Sequence, residues 1–198
     1  MARTKNWDPQ TKHRQIIDAA IEVLKQQHYL SCPVDDIARR AGVAKGTVYL
    51  YFKSKEALYC SVLCELLDRL RRMTEDADRD GRPAKQNLRD LLRSMGEFFE
   101  AHQHVFASFQ REPASMDAPL RRRLQEKYQR LFSSLSGFID KGIRQREFKA
   151  YPAPLIGELL LAFTSIPARQ RGKNTREVAG GTGSFELVFD VLMEGIAR

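Results

Sequence analysis

Apolar side chains recur at three- and four-residue intervals along most of the chain, and no convincing run alternates with period two, so the pattern predicts an all-α fold. Ile16, Ile17, Ala20, Ile21 and Leu24 mark one face of a first helix, capped by Asp8, with Pro9 in its first position and an end near His28-Tyr29. Two short helices follow within Val34–Lys55. The first has Pro33 in its first turn and Ser31 or Cys32 as cap, and Gly42 marks the tight turn between them. Ser54 is placed to cap a fourth helix with the stripe Leu58, Val62, Leu66, Leu67, Leu70 and Met73, which the charged run Glu75–Pro83 interrupts. Leu88, Leu91, Leu92, Met95, Phe98 and Phe99 predict a fifth helix ending near His102, and Val105, Phe106 and Phe109 a short one before Glu112-Pro113. A long helix after Pro119 carries Leu120, Leu124, Leu131, Leu135, Phe138 and Ile143, with Gly142 placed to allow close helix packing. Pro154 opens a segment through Phe163 that is too apolar for one solvated face, so burial on two sides is expected. Arg169 to Gly183 is a polar connection, and Ser184 starts a last helix over Phe185–Ile196.

Within Val34–Lys55 the spacing is more informative than the hydrophobicity. Ala38 is small where two helices would cross, Gly42 follows four residues later, and the apolar Val48 comes six after that. This is the pattern of a DNA-binding helix-turn-helix. It leaves Lys45, Thr47, Tyr49 and Tyr51 on surfaces free to meet a duplex.

Charge agrees with that direction. The 198 residues carry a formal net charge of +8, and residues 1–60 hold 10 Lys/Arg against 6 Asp/Glu, half of the excess in under a third of the length. A polyanionic partner is favoured. Met1 to Asp8 is basic and polar, without the apolar core of a secretion signal, and no apolar run reaches the length of a membrane span, so a reducing cytoplasm is expected.

Other features carry less chemistry. Cys60 and Cys64 stand four apart on one predicted helix, about 5–6 Å between Cβ atoms, too far for an unstrained disulfide. No His or third Cys accompanies them at ligand spacing, so no metal site is expected, and buried apolar roles are the default. Gly180-Gly181-Thr182-Gly183 follows no strand and lacks the Lys-Ser/Thr of a phosphate loop, which makes it a flexible connection. Arg121-Arg122-Arg123 reads as a solvated helix face, Arg39 and Arg40 as favourable charges at a helix C-terminus, and His102 and His104 as solvent-facing residues at a helix break.

The stretch from Val34 to Leu58, with Val-Asp-Asp-Ile-Ala-x-x-Ala-Gly-Val and then Lys-Gly-Thr-Val-Tyr-x-Tyr-Phe-x-Ser-Lys-Glu-Ala-Leu, closely resembles the N-terminal domain of TetR-type transcriptional repressors. The resemblance covers the first quarter to third of the chain; the remainder matches in length and helical pattern. It implies an N-terminal three-helix DNA-binding domain over residues 1–53 and a helical regulatory and dimerisation domain over 54–198. By position in the motif, Lys45, Gly46 and Tyr49 resemble the base-facing group, and Thr47, Tyr51 and Lys55 the phosphate contacts. Leu50 stands where a polar or aromatic residue is common, as an exposed apolar residue or a contact to a thymine methyl. Ala44 replaces a common capping Ser, and Pro33 sits where Thr or Ser is usual nearby.

The resemblance further implies a ligand cavity among regulatory helices, for which Met95, Phe98, Phe99, Phe106, Phe109, Tyr128, Phe132 and Phe163 are candidates. Helical periodicity predicts most of them as core regardless. It also implies a homodimer formed by the two C-terminal helices, whose second apolar faces need a partner. The expected function is a ligand-responsive repressor that binds palindromic operator DNA and is released by a lipophilic or aromatic effector, without a cofactor. An activator or architectural protein lacking a ligand is the alternative, and a small-molecule enzyme a weaker one, since no nucleophile–base or metal arrangement occurs in the C-terminal part.

Overall fold

The computed structural model describes residues 9–79, 81–111, 116–165, 190–191 and 193–195, and for 79, 108–111 and 163–165 the backbone alone. Its elements are α1 (Pro9–Leu24), α2 (Val34–Ala41), α3 (Lys45–Tyr51), α4 (Lys55–Arg79), α5 (Ala84–Ala101), α6 (Gln103–Arg111), α7 (Ala118–Arg144) and α8 (Ala153–Ser165). No strand occurs among the described residues, and the fold is all-α.

The chain forms two compact units, Met1–Leu66 with His102–Leu124, and Leu67–Ala101 with Gln125–Arg198. This is a division by packing. It does not follow residue 53, where the sequence suggests a change of role.

In the first unit, Ile16, Ala20, Ile21 and Leu24 of α1 are buried with Ile37, Ala38 and Ala41 of α2 and Val48 of α3. Gly42 ends α2 with φ 63° and ψ 36°, in the left-handed region that favours glycine. The Gly42 N–H reaches the Arg39 carbonyl at 3.1 Å, and the Val43 N–H the Ala38 carbonyl at 3.0 Å. That double closure sets the direction in which α3 leaves. α1 stops at Leu24, earlier than the expected His28-Tyr29, because the backbone passes into turns from Lys25. Pro33 is the residue before α2, in extended conformation and without a side-chain cap. Ser31 hydrogen-bonds the His28 carbonyl instead, so neither expected cap is used. Ser54 does cap α4, accepting from the Ala57 N–H at 3.2 Å.

In the second unit, Leu70, Leu88, Leu92, Met95, Leu131, Leu135 and Ile139 are almost fully buried. α4 continues to Arg79, so Glu75–Arg79 belongs to the helix and the break comes later, at Gly81. Buried Asn87 ties that break down, donating to the carbonyls of Ala77 at 2.9 Å and Arg82 at 3.4 Å. Gly142 makes a close approach, though to no helix: a Cβ added there would collide with the Phe148 ring, which folds back after α7. The tight helix crossing is at Gly157 of α8, where an added Cβ would lie 3.0 Å from the Ser136 Oγ of α7.

α8 buries Ile156, Leu160 and Leu161 but leaves Leu155 and Leu159 half exposed. Of the last expected helix, Asp190, Val191 and Met193–Gly195 are described and helical, with Met193 buried and Val191 exposed. The rest of Phe185–Ile196, its Ser184 cap, the 169–183 connection and the Asp8 cap lie outside the described residues. No helix among the described residues is long and apolar enough to cross a membrane.

Candidate nucleic-acid interface

α3 has seven residues and one buried side chain, Val48, at 1% exposure. Val48 anchors the helix; its neighbours point away from the core. Tyr49 is 45% exposed and Leu50 80%. Lys45 and Gly46 are exposed, Thr47 and Tyr51 partly so. Nothing lies within 4 Å of a Cβ added at Gly46, so the protein's own packing makes no demand for glycine there. Ala44 precedes the helix in extended conformation and caps it only through its backbone, its carbonyl accepting from the Thr47 N–H at 2.9 Å.

The polar surroundings constrain several of these groups. The Lys45 ammonium donates to Asp35 Oδ2 at 2.7 Å. That hydrogen bond raises the lysine above its ordinary pKa and lowers the aspartate below the usual carboxylate range. The Lys55 ammonium sits 4.5 Å from the Tyr29 ring centroid and donates to the Leu30 carbonyl at 3.3 Å. Tyr51 lies 6.3 Å from the His13 ring, which stacks on Phe52 at 4.9 Å. Burial, then the nearby Arg123 guanidinium, pushes His13 below the ordinary imidazole value. Arg39 pairs with Asp36 at 3.2 Å and, like Arg40, is exposed in the last turn of α2.

Beneath this surface Tyr29 stacks on Tyr59, centroids 4.4 Å apart, and donates to Glu56 at 3.1 Å. Tyr59 in turn donates to the Val105 carbonyl of α6. His102 is buried, contrary to the expected solvent exposure, and its carbonyl starts α6 by accepting from the N–H groups of Val105 and Phe106. His104 packs edge-on against His28 at 4.9 Å. Cys32, Cys60 and Cys64 are buried, and none of them is in a disulfide. A hydrogen bond with Cys64 lowers the Cys60 thiol.

The ligand-pocket candidates are spread over both units. Phe106 belongs to the first, where it is half buried. In the second, Met95 is fully buried, Phe98, Phe99 and Phe132 are half buried, and Tyr128 is 47% exposed. The Phe98 and Phe99 rings meet edge-on at 6.5 Å. The side chains of Phe109 and Phe163 lie outside the described residues.

Periodicity gives no sign of Gln15, Asp35 or Asn87, whose partners are 26, 10 and 10 residues away. Asn87 leaves one trace, a polar residue inside the apolar series Ala84, Leu88, Leu91.

Residues 16–62, which contain all of α2 and α3, match the family of bacterial regulatory proteins named for tetR. The fatty acid metabolism regulator protein of Bacillus subtilis is 33% identical over 139 residues, covering 70% of this chain and 71% of that protein. The chain belongs to the TetR family. It is accordingly a DNA-binding transcriptional regulator and not an enzyme. The HTH-type transcriptional activator FasR of Mycolicibacterium smegmatis is 35% identical over 99 residues, half of this chain and 45% of its own. The crystal structure of FadR from Bacillus subtilis in complex with stearoyl-CoA superposes with a TM-score of 0.63 at 25% identity, over 92% of this chain and 96% of that one.

Proposed function

We propose that the protein is a cytoplasmic homodimeric repressor, that its α3 reads a palindromic operator, and that a long-chain acyl thioester releases it. The observation that carries the DNA-reading part is the division of labour in α3. Val48 is buried, while Lys45, Gly46, Tyr49 and Leu50 face outward together. Lys45 and Tyr49 offer donors to base edges, and Leu50 offers an apolar surface to a thymine methyl. The open space at Gly46 suits a close approach by the duplex. Thr47, Tyr51 and Lys55 supply the phosphate contacts that fix register.

Two copies are required for a palindrome. The exposed Leu155 and Leu159, one turn apart on α8, and the exposed Val191 offer apolar surface that a second copy would bury. Two α3 helices would then enter successive major grooves about 34–36 Å apart. The half-buried aromatic side chains of α5 and α7 suit an apolar ligand, and the acyl-CoA bound by the Bacillus relative supplies its class. Such a ligand acts only through its different affinity for the DNA-competent and released states.

Selection from random duplex DNA at physiological salt tests the reading. A recovered palindrome, released on adding stearoyl-CoA, is the expected result. A salt-sensitive smear without consensus overturns sequence reading, and a palindrome indifferent to acyl-CoA overturns the effector class. The likeness to an activator favours a second reading, in which the same binding raises transcription. A reporter carrying the recovered site separates the two by the sign of its response.

A further inference from the structure

We infer that Asp35 is a specificity-determining residue of the DNA-reading surface, holding the Lys45 ammonium in one position so that it serves a base edge instead of ranging over phosphates. This rests on the proposed role of α3. Asp35 is in the first turn of α2 and Lys45 is the first residue of α3, ten positions later, and the turn at Gly42 brings them to 2.7 Å. Both side chains are 52% exposed. An ion pair so open to solvent contributes little to folding, so stability gives no reason for it.

Recognition gives two. A free lysine at a DNA-facing position is attracted to every phosphate equally, and a carboxylate beside it cancels that indiscriminate term. An ammonium has three donors, so one held by Asp35 leaves two, enough for guanine O6 and N7. The pair thus lowers affinity for any duplex while keeping the contact that depends on sequence. The neighbouring Asp36 provides an internal control. It sits in the same turn of the same helix, yet pairs with Arg39 inside α2, away from Lys45.

The experiment measures the affinity of the full chain for its selected site and for an unrelated duplex of equal length, over a series of KCl concentrations. Asp35→Asn is expected to bind the unrelated duplex more tightly, with a salt dependence steeper by about one phosphate contact. Its specificity ratio is expected to fall about tenfold, within the range of one base contact. Asp35→Glu, which keeps the charge, should retain most of the ratio, and Asp36→Asn should leave ratio and slope unchanged. In a Lys45→Ala background, Asp35→Asn should add nothing. An unchanged ratio in Asp35→Asn, an equal change in Asp36→Asn, or an effect that survives the loss of Lys45 overturns the inference while α3 stands as the reading helix. A wild-type chain that does not distinguish the two duplexes overturns both.

Discussion

The Gln15 amide of α1 donates to the Ala41 carbonyl at 2.7 Å, and Ala41 is the last residue of α2. The last carbonyls of a helix have no partner within it. Gln15 supplies one from across the domain, fixing the end of α2 just before the Gly42 turn. Removing it by Gln15→Ala is expected to cost about 1 kcal/mol, the usual net contribution of one such bond. The thermal midpoint should drop by about 2–4 °C for a chain of this size. An unchanged midpoint would mean that water serves the carbonyl equally well.

Tyr49 and Val48 are adjacent in sequence and opposite in burial, which separates binding from folding. On the proposed reading, Tyr49→Ala is expected to abolish specific operator binding while leaving stability within about 0.5 kcal/mol of wild type. Val48→Ala should do the reverse, losing about 2 kcal/mol through the cavity it leaves. Operator titration beside thermal denaturation checks both. Retained operator affinity in Tyr49→Ala would sink the assignment of α3.

The helices and the turn were legible because each depends on local features: the periodic apolar stripes, the spacing of Ala38, Gly42 and Val48, and Ser54 before Ala57. What escaped depends on contacts between distant residues. The end of α4 at Arg79 is tied by Asn87, which donates to the carbonyls of Ala77 and Arg82 and which propensity does not register. Tyr29 is buried although it lies beyond α1, because its ring is held by Tyr59 and Glu56 of α4. At the candidate interface the motif points to the residues of α3, whereas the anchoring of Lys45 by Asp35 and of Lys55 over Tyr29 exists only once the chain has turned. At Gly142 the sequence predicts a close approach by a helix, whereas the Phe148 ring, six residues on in the same chain, occupies the space.

That contact sets a test of the second unit. Gly142→Ala drives a methyl group into the Phe148 ring. Phe148 is itself buried, so it has little room to yield. Overpacking of this kind costs about 1–3 kcal/mol. Phe148→Ala alone should also destabilise, by about 3 kcal/mol or more through its cavity. Because the two share one volume, the double variant should be less unstable than the sum of the single effects. Simple additivity in urea denaturation would show that the ring moves aside without cost.

His13 links pH to the stability of the first unit. Its ring is partly buried against Phe52 and Tyr51, and the Arg123 guanidinium of α7 opposes a second positive charge. Its pKa is therefore lower folded than unfolded, and the unfolded chain takes up the proton first as pH falls. The stabilising contribution is present above the unfolded imidazole value of about 6.5 and is lost as pH falls through the lower folded value. The direction is opposite to that of a histidine paired with a carboxylate. Wild type should accordingly lose stability between about pH 7 and pH 5, and His13→Asn should lose less over the same interval. The comparison of the two slopes, by urea denaturation at each pH, isolates His13 from the carboxylates that titrate lower. Equal slopes would show that solvent around the half-open ring screens Arg123 and that the imidazole protonates without penalty.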